Sequence, residues 1–272
     1  MVLLVAVPVA LSIALAFTAY DGLSAPAWRG LANFREVLAD PLFRTAGVNS
    51  LTFVALTVPL RVALALALAL LFNRPRRGVA FYRVAVYVPT VVPGVAYALV
   101  WLWIFNPLYG PLNPLLASLG LPAPAWLVDE RTALPALALT ALFQIGEGFV
   151  VVLAGLREIP EDCYHASSLD GAGRLATLRH LTLPLLAPWL LLLAIRDVIV
   201  TAQTTFTPAL VMTGGGPYHA TLFVPLLMYE VTFDRLRFGQ GAAMTVLLLA
   251  VVGALIVLTY RAAGGWGYED EV

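Results

Sequence analysis

The chain has 272 residues and no lysine: its basic side is 16 arginines, balanced by 16 carboxylates to zero net charge. A Walker phosphate-binding loop needs a lysine after its glycine-rich turn, so this chain cannot cradle nucleotide phosphates in that way. Cysteine is nearly absent, and Cys163 alone excludes an internal disulfide and a cysteine-rich metal centre. The three histidines, His165, His180 and His219, are scattered without paired ligand spacing. No His–Glu zinc pattern and no serine with a nearby general base stands in a motif, which counts against an intramembrane enzyme. Charge of either sign is scarce. Charged residues make up 12% of the chain and apolar ones 61%, with a mean hydropathy of +0.88; soluble domains carry about 25% charged residues. The surplus is too large for a water-soluble core and specifies an integral membrane protein in contact with lipid, with no nucleic-acid partner. Apolar runs continue for about 20 residues, whereas barrel strands alternate over about 10, so the spans are helices.

A helix rises 1.5 Å per residue, and a hydrocarbon core of about 30 Å takes roughly 20 apolar residues. Six spans are predicted: Val2 to Ala19, Val48 to Phe72, Phe81 to Phe105, Thr132 to Leu156, Leu183 to Leu210 and Gln240 to Tyr260. Residues 1–47 form the first span and an outer loop, 48–261 the transmembrane core, and 262–272 a tail. The first span could instead be a signal peptide, but a basic leading region and a clean cleavage site are missing. Leu222 to Phe233 is apolar yet holds Pro225 and Glu230 within 12 residues; it is too short to cross and reads as an interfacial helix.

Orientation follows arginine placement. The short 73–83 loop holds Arg74, Arg76, Arg77 and Arg83, which retains it in the cytoplasm. The 157–182 loop lies on the same side, because an even number of spans separates the two. Both termini are therefore cytoplasmic, and loops 20–47, 106–131 and 211–239 face outward. Those outer loops are rich in Pro and Gly, as in NPLYGPLNP and TGGGPYH, and are built to turn.

The 157–182 loop is mostly polar, bounded on both sides by apolar spans, and is the only part of the chain built to grip another protein from the aqueous side. Pro160 suits a first helical turn, where its missing N–H costs nothing, and Glu161 and Asp162 suit the positive helix end. The helix should reach Leu169. Asp170–Gly171 then breaks it, Gly by tolerating left-handed dihedrals and Asp by capping the helix that follows. A second helix is expected from Ala172 to Leu181, with Pro184 opening the next span. The small surface of Ala166, Ser167, Ser168, Gly171, Ala172 and Gly173 admits close approach by another protein, with Tyr164 and Leu169 as apolar anchors.

This loop resembles the EAA loop of ABC importer permeases: E-A-A, three residues, G, nine residues, I-x-L-P. Here the pattern falls on His165-Ala166-Ser167, Gly171, Leu181, Leu183 and Pro184, and Asp170-Gly171-Ala172 matches the fuller form at the turn. The family's glutamate is His165 and its second alanine is Ser167. Further stretches resemble the sugar-type branch, the maltose- and glycerol-phosphate-like permeases: NFREVLADPLFRTAGVNSL, FYRVAVYVPTVVP, WIFNPLYGPLN and VMTGGGP. The resemblance implies an all-α, six-helix type I permease bundle whose loop 157–182 is a coupling helix. It implies two cytoplasmic ABC ATPase subunits that bind ATP and magnesium, while this chain binds no cofactor and catalyses nothing. It also implies a second homologous permease, an extracytoplasmic solute-binding protein, and a bacterial or archaeal inner membrane. The coupling residues would be Tyr164, His165, Ala166, Ser167, Leu169, Asp170, Gly171, Ala172, Gly173 and Pro184, and the cargo a carbohydrate or polyol.

Ionisable groups at mid-membrane cost about 2.5–3.5 kcal/mol each and normally face a partner or a water-filled route. Arg61, Glu147, Arg196, Asp197 and the polar Gln203 are accordingly candidates for a substrate path. The same charges could instead be ion pairs that pin helices, Arg61 with Asp197 or Arg196 with Glu147. Neighbours in sequence, Arg196 and Asp197 point about 100° apart on a helix and should not simply neutralise each other. A stand-alone secondary transporter is the rival function; it would carry an internal repeat and broken helices, and no repeat between the two halves is visible.

Overall fold

A computed structural model describes residues 2–74 and 76–263; of the expected tail at 262–272, everything from 264 onward lies outside the described residues. The described residues are mostly helical: α1 (Val2–Leu15), α2 (Ala32–Ala39), α3 (Pro41–Phe72), α4 (Val79–Val91), α5 (Gly94–Ile104), α6 (Leu112–Ser118), α7 (Glu130–Phe143) and α8 (Gly146–Glu158). There follow α9 (Glu161–Leu169), α10 (Arg174–Thr177), α11 (Leu183–Thr204), α12 (Phe206–Pro208), α13 (Val224–Tyr229) and α14 (Phe238–Ala263). The described strands are a two-residue antiparallel pair, β1 (Thr18–Ala19) and β2 (Ala27–Trp28), with Thr18 opposite Trp28.

Three helices are long and apolar enough to cross a membrane: Pro41–Phe72, a run of 40 residues over Arg174–Thr213, and Phe238–Ala262. Two broken pairs, α4 with α5 and α7 with α8, raise that number to five. Both breaks depart from the continuous spans expected at 81–105 and 132–156. The first has a local cause: Val92 is extended at φ −69°, ψ 128°, as the ring of Pro93 requires of the residue before it. The first span also ends early, at Leu15 rather than Ala19. Buried Asn33 on α2 donates to the Ala16 and Thr18 carbonyls at 2.9 and 2.8 Å, holding that stretch out of the helix.

The chain divides into two compact units. The first comprises the described residues of Met1–Val54, Gly94–Leu137 and Ala202–Ala254. Its buried side chains include Phe53, Phe105, Phe223, Leu226, Leu227 and Met244. The apolar segment at 222–233 is helical from Val224 onward, with Val224, Leu226, Leu227 and Val231 buried. Asn49 of α3 donates to the carbonyls of His219 and Leu222, and Ser50 Oγ accepts the Val224 N–H, so the Gly-rich turn before α13 is tied to α3. A polar cleft of ≈ 380 Å³ opens among Tyr20, Asp21, Arg29, Glu36, Arg237 and Gln240.

The second unit comprises the described residues of Ala55–Pro93, Ala138–Thr201 and Leu255–Val272. Its core joins α3, α8 and α11 through Ala65, Ala69, Phe149, Val152, Leu156, Leu186 and Leu193. Ala65 and Ala69, one turn apart, let the helices come close, as small residues do between membrane helices. Leu66 and Leu68, between them, pack half-buried against this core, while Leu64 is 37% exposed, where lipid solvates it as well as protein would.

Candidate functional site

The polar loop is built in three parts. Pro160 is extended and is the N-cap itself rather than the first turn, and α9 begins at Glu161. At its other end Asp170 is the C-cap and Gly171 turns left-handed at φ +75°. The Gly171 N–H donates to Ser168 O at 3.2 Å and the Ala172 N–H to Ser167 O at 3.1 Å. That pair of bonds is a Schellman closure, which needs a residue free of Cβ strain at the glycine. Asp170 therefore closes α9 and does not cap the next helix. The cap of that helix is Gly173, without a side-chain bond, and α10 begins at Arg174 rather than Ala172.

From α10 the helix runs on without a stop into α11. A wide turn at Leu178–Thr182 carries the chain through, with the Leu183 N–H donating to Leu178 O. Pro184 thus sits inside a continuous helix instead of opening a new one. The wider turn absorbs it, because the bond lost at the proline is one that a shift in register has already displaced.

Two hydroxyl pairs hold α9 against that helix. Tyr164 Oη meets Thr182 Oγ1 at 3.4 Å, and Ser167 Oγ meets Thr177 Oγ1 at 3.1 Å. Tyr164 also packs on the core of the second unit. It is an internal brace, not the outward anchor expected of it, and Ser167 points the same way. Facing out are His165, Ala166, Asp170, Gly171, Gly173 and Pro184, with Ala172 half-buried. Leu169 is 88% exposed and Leu175 77%. Leu175 was missed by the sequence reading; an apolar side chain on a short polar helix was the available signal.

The intramembrane charges form one alternating chain within the second unit. Arg61 Nε lies 3.1 Å from Asp197 Oδ2, Arg196 Nη1 lies 2.9 Å from Asp197 Oδ1, and Arg196 Nη2 also pairs with Glu147. Both expected interhelical pairs form. The neighbours Arg196 and Asp197 touch as well, because the arginine is long enough to curl back along its helix. Burial separates the members: Arg61 and Asp197 are enclosed, with side chains 8% and 3% exposed, while those of Arg196 and Glu147 are 32% and 48% exposed. Glu147 stands in the first turn of α8, where its charge suits the positive helix end. Gln203 belongs to the first unit and is exposed.

Residues 61–264, more than half of the chain, match the model of the family described as binding-protein-dependent transport system inner membrane component. The chain belongs to that family. It is a multi-pass inner-membrane permease of a binding-protein-dependent importer. The chain is 34% identical over 270 residues, covering 97% of itself and 87% of the relative, to the probable ABC transporter permease protein YesP of Bacillus subtilis. It is 33% identical over 232 residues to the sn-glycerol-3-phosphate transport system permease protein UgpA of Agrobacterium fabrum, covering 85% of this chain and 79% of that one. The permease fold is matched by a crystal structure of a bacterial ABC transporter that imports the acidic polysaccharide alginate. The TM-score is 0.83 at 19% identity, over 96% of this chain and 90% of that one. A second match, with TM-score 0.82 and 19% identity over 95% of this chain and 88% of that one, is an alginate transporter in complex with its oligosaccharide-bound periplasmic protein.

Proposed function

We propose that this permease carries a carbohydrate or related polyol and forms its pore with a second, homologous permease. Six spans cross the membrane: α1, α3, the pair α4–α5, the pair α7–α8, the long helix from α10, and α14. Residues 1–47 supply the first crossing and an outer loop, 48–261 form the core and 262–272 a tail, with both termini in the cytoplasm. An extracytoplasmic solute-binding protein delivers cargo. Two ATPase subunits hold ATP and magnesium and do the hydrolysis, leaving this chain without a catalytic centre or cofactor of its own.

The observation that carries the reading is the exposed shoulder at residues 165–175. Leu169 and Leu175 stand in solvent at the tip of a loop that two hydroxyl pairs brace from behind. A braced knob transmits a push, whereas a slack loop would absorb it. We assign α9 and the turn at Gly171 as the coupling helix that docks on an ATPase. Glu147 and Arg196, the accessible half of the charge chain, line the route and offer hydroxyl groups a carboxylate and a guanidinium.

The test is site-directed cross-linking. Ser168→Cys and Arg174→Cys, each in a Cys163→Ser background, should capture the ATPase subunit in membranes. Absence of capture, or labelling of either cysteine from outside the cell, overturns the assignment. Uptake by the isolated chain would favour the stand-alone carrier.

A further inference from the structure

The break between α7 and α8 has no proline to explain it. The two helices meet at an angle of 46° at Gln144–Ile145, in the middle of a stretch long enough to cross the membrane. A break in lipid frees backbone groups that water cannot satisfy, so each needs an internal partner. Ile145 caps α8, and its carbonyl accepts the Phe149 N–H at 2.8 Å. The Gln144 carbonyl lies one residue earlier, outside the helix ladder. It accepts from Arg61 Nη2 at 3.0 Å.

Arg61 therefore serves two acceptors on two different segments: the Asp197 carboxylate on α11 and the Gln144 carbonyl at the break. An ion pair alone would need only the first. The break is also seated from α4, because a Cβ added to Gly146 would lie 2.8 Å from Tyr87 Cα. One residue beyond that glycine is Glu147, paired with Arg196. Each position in this stretch fixes the next, from the buried arginine to the accessible carboxylate.

We propose that Arg61 is a positioning residue: it clamps the Gln144 carbonyl, holds the α7–α8 break in place and thereby sets Glu147 opposite Arg196. This rests on the proposed route past Glu147. It gives the buried half of the charge chain a task apart from contact with cargo.

The test compares Arg61→Met with Arg61→Met/Asp197→Leu, using the full chain in lipid nanodiscs for hydrogen exchange and the assembled importer for uptake. The double variant removes the buried carboxylate that the single one strands, so recovery of yield in the double is expected from loss of the ion pair alone. The clamp adds that both variants lose protection at residues 144–149, with exchange about tenfold faster, because a hydrogen bond from a charged donor is gone. KM for the transported sugar should rise in both while the complex still assembles. Protection at 144–149 equal to that of the unaltered chain in the double variant would overturn the clamp and leave Arg61 as a counter-ion only. The exchange measurement needs no transport. Failure of the unaltered complex to take up any sugar would therefore sink the functional reading, while the exchange data still decide the clamp.

Discussion

The carboxylate of Asp21 shows how one side chain can shape a loop. Its Oδ1 accepts the N–H groups of Leu23 and Ser24 at 3.0 and 2.8 Å and the Ser24 hydroxyl at 2.7 Å. Backbone and side-chain bonds from Ser24, then the Leu23 bond, lower its pKa from 3.8 to about 2. A depressed carboxylate contributes order that is complete above its unfolded pKa and is lost as the pH falls through the folded one. The turn at 21–24 should thus persist through mildly acidic media and open only near pH 2. Titrating the Asp21 carboxyl carbon by NMR in micelles checks this, and a midpoint near 3.8 would show that the three bonds do not hold. His165 and Ser167 teach a related lesson. The first faces solvent where the family pattern has glutamate; the second turns inward to Thr177. Their side chains were legible in the sequence, but their directions were not.

At the scale of the element, the loop turn was legible because its cause is local. Gly after a helical stretch favours a left-handed closure, because it bears no Cβ to clash there. Gly171→Ala should cost roughly 1–2 kcal/mol at that φ and loosen the shoulder at Leu169 and Leu175. The expected result is an importer that still assembles and hydrolyses ATP but moves fewer sugars per ATP. An unchanged transport-to-hydrolysis ratio would count against a rigid joint. Helix ends were less legible. The continuous run through Pro184 reverses the expected stop there, since a wide turn can absorb a proline in a way that no residue count announces. The break at Gln144 was equally hidden, because its partner Arg61 is remote in sequence.

For the whole molecule, the apolar excess that excluded a soluble fold reappears as exposed leucines and valines along helices with only 17–33% of their apolar windows buried. Lipid must cover them. In such a surround, a carboxylate as open as Glu147 is a functional position by default. Neutralising it by Glu147→Gln removes a charge-assisted bond to the solute or to Arg196, worth about 1.5–3 kcal/mol. Uptake should show a KM raised about tenfold, with ATPase subunits still bound. Wild-type affinity and rate would remove Glu147 from the route.

The sequence by itself determined that this chain lives in a membrane, that a polar loop closes on a glycine, and that nucleotide phosphates are not held by a lysine-bearing loop here. Those properties follow from hydropathy, backbone dihedrals and residue inventory, which are set within a few neighbouring positions. Only the tertiary structure decided where the spans break, which charges are enclosed, and that Tyr164 braces the loop instead of anchoring it outward. The break before Pro93 is local, whereas the break at Gln144, the enclosed Arg61–Asp197 pair and the Tyr164–Thr182 brace each need a partner from another segment. No local pattern encodes that partner.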